Sequence, residues 1–311
     1  MNRFLPLLAL LIALIPFGFS SQYFVNLAML TVFSAFLGQA WNISGGFGGL
    51  TSFGHAVFFG IGTYTAATLS TRYALSPWFA LPIAFALGAT AGTMIGAASF
   101  RAGLRGSYFA LVTLAFAEVF RVLATASDWT RGGQGINVPL KLGFANFQFS
   151  DRRASYAVML ALLILAMLAA SWLKRARFGA RLAAVRENED AAKALGVDIV
   201  RTKTMALALS GGLTALGGVV YTQTYLFVDP QIAFGVERSV EMLLVVMIGG
   251  AGTVWGPVFG AIALHIVADT TRSWISTPGF APMLYGVVLL VIIALLPGGI
   301  AGMLRRFVGD K

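Results

Sequence analysis

Charged residues are so sparse along this chain that they mark the ends of its apolar segments. No Asp, Glu, Lys or Arg occurs between Arg3 and Arg72, and further charge-free stretches run 73–100, 154–173, 204–228, 242–268 and 273–304. A charge at a helix centre costs about 2.5–3.5 kcal/mol on insertion, and one crossing takes about 20 residues. The first stretch therefore divides into three hydrophobic segments, about 4–19, 23–43 and 48–70. The segment near 107–126 is interrupted only by Glu118 and Arg121. The pattern predicts an all-α polytopic membrane protein of about eight full transmembrane helices plus a broken or re-entrant helical hairpin, with an internal two-half pseudo-repeat. It forms a single transmembrane domain over 1–311, with a polar loop at 174–203 and another at 127–153.

The first segment also fits a secretory signal, since Phe4–Phe19 spans only about 24 Å. No A-x-A-like site follows it, and a retained helix is the preferred reading; the later topology is the same in either case.

Composition supports the membrane assignment. Apolar and aromatic residues make up 58% of the 311 positions and charged residues 11%, against roughly 25% charged in a globular domain; the mean hydropathy is +0.82. The absence of cysteine excludes disulfides, thiol catalysis and Cys-ligated metal sites. A net charge of +10 raises nucleic acid as a partner, but in a membrane chain Lys and Arg record which loops stay in the cytoplasm. With Arg3 inside and alternating crossings, fourteen basic residues fall inside. Eight of them lie in 174–203 (Lys174, Arg175, Arg177, Arg181, Arg186, Lys193, Arg201, Lys203). Seven fall outside: Arg72, Arg131, Lys141, Arg152, Arg153, Arg238 and Arg272. This bias holds only if 239–268 enters and returns to the same side; one full span there reduces it to twelve against nine. Both termini are then cytoplasmic.

The residues of that segment argue independently for a break. Gly249, Gly250, Gly252, Gly256, Pro257 and Gly260 crowd twelve positions, where continuous helix is least favoured, and non-helical backbone at membrane depth is tolerated only inside protein or along a wet cavity. The first half has a counterpart in Gly45, Gly46, Gly48 and Gly49, followed by Thr51, Ser52, Gly54 and His55. Paired interrupted segments in the two halves point to a transport site at the midplane. Close helix packing through small residues is the alternative reading of each glycine.

These residues carry a family resemblance. The run Asn42, Gly45-Gly46, Gly48-Gly49-Leu50, Ser52, Gly54-His55-Ala56, Phe58 to Gly62 and Tyr64 to Ala67 resembles the signature of LivM-type permeases, the membrane subunits of branched-chain amino acid ABC importers. The likeness continues through Leu104-Arg105-Gly106, Tyr108 to Leu114, Gly132 to Ile136, Phe178 to Val197, and Gly249 to Pro257, covering roughly 42–298. Ser107 departs from the family's frequent Asp, and Thr51 and Phe53 from its usual leucines. The resemblance implies a type II-like importer permease with a substrate pathway along Gly45, Gly46, Gly48, Gly49, Ser52, His55, Tyr108, Thr113, Gly249, Gly250 and Gly252. It implies as partners a second homologous permease, two P-loop ATPase subunits and a periplasmic binding protein, all at a bacterial inner membrane, and no nucleic acid.

Residues 180–195 read as one short amphipathic helix. Leu182, Val185, Ala192 and Leu195 form a stripe, Arg186–Asp190 and Glu189–Lys193 are i,i+4 pairs, and Gly196 is a C-terminal stop. By composition it is a basic connector lying on anionic headgroups. By resemblance it is a coupling helix docking on the ATPase through Arg181, Val185, Arg186, Glu187, Asn188, Glu189, Ala192, Leu195 and Gly196. The chain itself lacks a P-loop, since none of its five lysines follows a glycine. It is therefore not read as an enzyme, and ATP and magnesium belong to partner subunits.

Glu118 and Arg121 share a helix face and read as an intramembrane ion pair, with a substrate or gating contact as the alternative. His55 and His265, the only histidines, have no third ligand nearby in sequence to complete a metal site; His55 is either a bond to freed backbone carbonyls or a pathway residue. The loop 127–153 reads as an ordered outer turn, or as a surface touched by the binding protein. An uncharged pathway suits a zwitterionic or neutral substrate, which fits leucine, isoleucine and valine and also urea or short amides. A self-contained channel or secondary carrier is the alternative of another class.

Overall fold

The structure, a computed structural model, describes residues 21–274, 286–287, 290 and 298–308. The predicted span 4–19 and most of 273–304 lie outside them. Helix α1 (Gln22–Asn42) runs into a wider π-turn (Ile43–Phe47), and a non-helical connector, 48–54, leads to α2 (His55–Arg72). Helices α3 (Pro77–Arg101) and α4 (Gly106–Ala126) follow. A loop with three 3-10 turns and strand β1 (Ile136–Asn137) joins α4 to α5 (Arg152–Arg175). Two short helices, α6 (Arg177–Glu187) and α7 (Glu189–Ala194), precede the long α8 (Ile199–Tyr225). The chain ends with β2 (Phe227–Val228), α9 (Pro230–Phe234), α10 (Val236–Gly249), α11 (Gly256–Trp274) and α12 (Gly299–Val308).

Where helices start in polar surroundings, the scarce acidic and amide side chains cap them. Asp151 accepts from Arg153 N, Asn188 from Asp190 N and Ala191 N, Asp198 from Arg201 N, and Asp229 from Ile232 N.

Helix α8 is the axis of the bundle, and small residues let its neighbours approach to backbone contact. On α3, Ala80, Ala84, Gly88, Gly92 and Gly96 recur every fourth residue and are all buried. A Cβ on Gly88 would stand 2.6 Å from the Gly211 oxygen, and one on Gly92 2.7 Å from that of Leu207. Against α2, a Cβ on Gly62 would lie 1.9 Å from the Ala215 oxygen. Among apolar surroundings, helices associate by this close packing rather than by hydrophobic burial. In contrast α3, α4 and α5 keep outer faces of exposed apolar side chains, including Phe79, Met94, Leu111, Leu123, Leu168 and Trp172.

Five described helices are long and apolar enough to cross a membrane: α1 with its π-turn, α3, α4, α5 and α8. The predicted span 48–70 is shorter in the structure. Its first residues form the connector, and α2 has 18 residues, about 27 Å. The glycine-rich segment predicted to break does so between Gly249 and Gly256. Gly250 (φ 117°) and Gly252 (φ 73°) adopt backbone angles open to glycine. The arms α10 and α11 fold back on each other, a Cβ on Gly260 meeting the Val245 oxygen at 1.8 Å and one on Gly249 the Gly256 oxygen at 1.8 Å.

The bundle has two distinct ends. One, called here the loop end, carries α6, α7 and Arg105; the other carries 127–151, where β1 pairs antiparallel with β2 (Ile136 with Val228, Asn137 with Phe227) and Arg72 donates to the Trp129 oxygen.

Because α2 and α8 touch through backbone at Gly62, Gly62→Val is expected to destabilise the fold by about 3 kcal/mol, read as a lowered thermal midpoint in detergent. Gly133→Ala, where an added Cβ meets nothing within 4 Å, leaves the midpoint unchanged.

Candidate functional site

The two glycine clusters meet at the C-terminal end of α1. Asn42, fully buried, spans the gap between them: its amide oxygen accepts from Gly252 N (2.9 Å) and its amide nitrogen donates to the Thr253 oxygen (2.9 Å). Peptide groups set free by the break thus find partners where water is excluded. Gly46 allows the approach, because a Cβ there would stand 1.8 Å from Asn42 Oδ1 and 2.5 Å from Gly252 N.

Arg186, at the end of α6, reaches into the same place. Its Nη1 donates to the Gly46 oxygen (2.6 Å), and a Cβ on Gly252 would lie 2.8 Å from that nitrogen. One side chain of the loop predicted to couple to an ATPase therefore touches both breaks. Gly49 (φ 67°) lies against its methylenes. Beside them is a cavity of about 240 Å³, lined in part by Gly48, Thr51, Arg105, Glu189 and Lys203.

Deeper in the bundle, His55 holds four segments together. Its Nε2 lies 2.7 Å from Ser210 Oγ and 3.3 Å from Ser44 Oγ, and its Nδ1 lies 3.2 Å from Ser52 Oγ. Ser210 has one hydroxyl proton and gives it to the Ala40 oxygen (2.7 Å). It therefore accepts from His55, so Nε2 carries the proton and Nδ1 accepts from Ser52. Ser210 lies about 16 Å along α8, well inside the bundle. Trp41 Nε1 donates to the Ser52 oxygen (3.0 Å), and Ser239 Oγ accepts from Ala56 N (2.8 Å).

Of the residues predicted for the pathway, Gly45, Gly46, Gly48, Gly49, Ser52, His55, Gly249, Gly250 and Gly252 lie in or beside this cluster. Thr113 joins it, accepting from Phe53 N (3.1 Å) while a Cβ on Gly54 would meet its carbonyl oxygen at 2.7 Å. Tyr108 stands apart, its side chain exposed on α4. Ser44, Ser210 and Ser239 join the cluster without having been predicted for the pathway, and Asn42 gains a role as its clamp. An uncharged polar residue within or at the edge of an apolar span is the signal that marks Asn42, Ser44 and Ser210, whereas Ser239 stands among Glu237, Arg238 and Glu241 and carries no such signal.

The loop itself differs from its prediction. One helix over 180–195 becomes two, because Asn188 (φ −157°, ψ 110°) leaves the helix to cap α7. Neither i,i+4 pair forms. The kink carries Asp190 away from Arg186, while Glu189 pairs with Arg105 (2.9 Å) and with Lys203. Lys203 is itself buried, over the Phe100 ring. Leu182, Val185 and Ala192 pack inward as predicted, but Leu195 is 83% exposed. Gly196 (φ 81°) ends α7 with its N–H on the Lys193 oxygen (2.9 Å).

Glu118 and Arg121 form their ion pair (2.9 and 2.5 Å), extended to Gln231 at 3.4 Å. The loop 127–153 is ordered by Arg131 and Phe147 in left-handed conformation and by Trp78 packed on Phe144 and Phe147.

Comparison with known proteins agrees with the resemblance. The family described as branched-chain amino acid transport system / permease component matches residues 23–296. The high-affinity branched-chain amino acid transport system permease protein LivM of Escherichia coli K12 is 31% identical over 96% of this chain and 75% of its own length. The probable branched-chain amino acid transport permease protein LivM of Methanocaldococcus jannaschii is 25% identical over 93% of both chains. The autoinducer 2 import system permease protein LsrC of Salmonella choleraesuis is 28% identical over 70% of this chain and 63% of its own. No solved structure matches. A helical bundle with apolar outer faces, two glycine breaks clamped together and a match over most of its length place this chain in the family of branched-chain amino acid transport system permease components.

Proposed function

We propose that this chain is the membrane-spanning subunit of an ABC importer that moves leucine, isoleucine and valine inward by alternating access, with ATP hydrolysed on separate subunits. The observation that carries the reading is the seat of Arg186 against both glycine breaks, which ties the polar loop mechanically to the interrupted backbone inside the bundle. The loop end is then cytoplasmic, in keeping with its eight basic residues, and α6 and α7 are the coupling element. The pathway runs along the clamped breaks, through Gly45 to Gly49, Ser52, His55, Thr113 and Gly249 to Gly252, and the break hairpin enters and leaves the membrane on one side. A second permease, two ATPases and a binding protein that meets the 127–153 loop complete the assembly. No cofactor is held by this chain.

The likeness to autoinducer 2 permeases sets a second substrate beside the amino acids, and uptake in cells lacking this chain separates them. Loss of labelled leucine uptake supports the amino acid reading, and loss of urea or autoinducer 2 uptake alone overturns it.

The exposed Leu195 is placed to dock on a partner. Leu195→Asp is expected to weaken co-purification of the ATPase subunits about tenfold while leaving the thermal midpoint of the permease unchanged; unchanged co-purification removes α7 from the docking surface. Asn42→Ala leaves Gly252 N–H and the Thr253 carbonyl without partners, at about 1–3 kcal/mol for each. It is expected to lower the thermal midpoint and to release ATP hydrolysis from uptake, measured as a higher ratio of ATP consumed to leucine transported.

A further inference from the structure

Two charged side chains inside the bundle serve neither the breaks nor the coupling loop. Arg238 counts by sequence among the outer-loop residues, but the structure places it on the first turn of α10, with Glu241 one turn later. Arg238 Nη1 donates to Glu241 Oε2 (3.1 Å). The other carboxylate oxygen accepts from Ser34 Oγ (2.8 Å), so the Ser34 hydroxyl proton is committed and its oxygen accepts from His265 Nε2 (3.0 Å). The Arg238 guanidinium lies 5.5 Å from the Phe59 ring and 5.1 Å from that of Tyr221, and the Tyr225 ring lies tilted against Tyr221 at 4.5 Å. Four elements, α1, α2, α8 and α11, thus converge on one ion pair.

The pair is reachable, with 27% of the Arg238 side chain and 29% of that of Glu241 exposed. It lies on the opposite side of Gly249 from the loop end, about 16 Å along α10. An ion pair at this depth carries a desolvation cost that apolar side chains avoid, so ionisable groups in a span point to a function. Its chemistry suits one class of ligand. A zwitterion presents a carboxylate to the guanidinium and an ammonium to the carboxylate, exchanging one neutral pairing for another, and no net charge enters the low-dielectric bundle. A purely anionic or cationic ligand leaves one charge uncompensated, which excludes it. The buried rings of Phe59 and Tyr221 hold the guanidinium in place from behind.

We propose that Arg238 and Glu241 form a recognition pair for the two charged ends of a zwitterionic α-amino acid on the side opposite the coupling loop, before it reaches the glycine breaks. The proposal rests on the importer reading above.

The test uses the assembled complex of permeases, ATPases and binding protein in proteoliposomes. In one variant Arg238→Met and Glu241→Leu together replace the pair with apolar side chains and leave no lone charge; in the other, Arg238→Glu and Glu241→Arg exchange the charges. Both are expected to lower labelled leucine uptake at least about tenfold, with complex yield and basal ATP hydrolysis within about twofold of the unmodified complex. A pair with only a structural role behaves differently: charge exchange returns uptake to within about twofold. That result overturns the proposal, as does unchanged uptake in the apolar variant or its failure to assemble. Failure of the unmodified complex to take up leucine is a failure of the importer reading, and is distinguishable because it precedes any variant.

Discussion

A peptide group that leaves a helix in an apolar medium loses its hydrogen-bond partner and has no water to replace it. This chain leaves the helix within the bundle at 48–54 and again at 250–255, and much of its internal polar chemistry answers that constraint. Asn42 supplies one donor and one acceptor to the second interruption, and Arg186 satisfies a carbonyl just before the first. Ser52 and Thr113 take N–H groups of the connector. The interruptions are stabilised by each other, so the two halves cannot separate there without exposing unpaired backbone.

Small residues set where those partners can stand. Because α2 and α3 pack against α8 at backbone distance, the serine at position 210 is brought within reach of His55 and the carbonyl of Ala40. The same closeness in the hairpin, through Gly249 and Gly260, fixes where the first turns of α10 stand. Arg238 and Glu241 are then held against Phe59, Tyr221 and Ser34. Glycine in this fold is a spacing device for helices as much as a conformational one.

The polar loop of α6 and α7 shows how charge is used when little of it is available. Glu189 receives both Arg105 and Lys203, so one carboxylate joins α7 to the α3–α4 turn and to α8. Arg186, freed from a helical partner by the kink at Asn188, becomes the contact with the breaks. A motion imposed on α6 and α7 therefore meets the bundle both through these short polar contacts and through the inward-packed Leu182, Val185 and Ala192.

The sequence by itself determined the class of fold, the position of the five described spans and the existence of the two interruptions. Those follow from the insertion cost of charges and from glycine and proline propensities, which are local. It also marked the basic loop and the Glu118–Arg121 pair, whose partners are near in sequence. Only the tertiary structure decided that the interruptions touch, that Asn42 clamps them and that Arg186 turns inward instead of pairing with Asp190. It alone decided that Ser34 and His265 extend the Arg238–Glu241 pair. Each of these joins residues about 140 to 230 positions apart, and no local pattern encodes which polar group a buried amide or carboxylate will meet. That choice is made by helix packing, once small residues let the backbones close to contact.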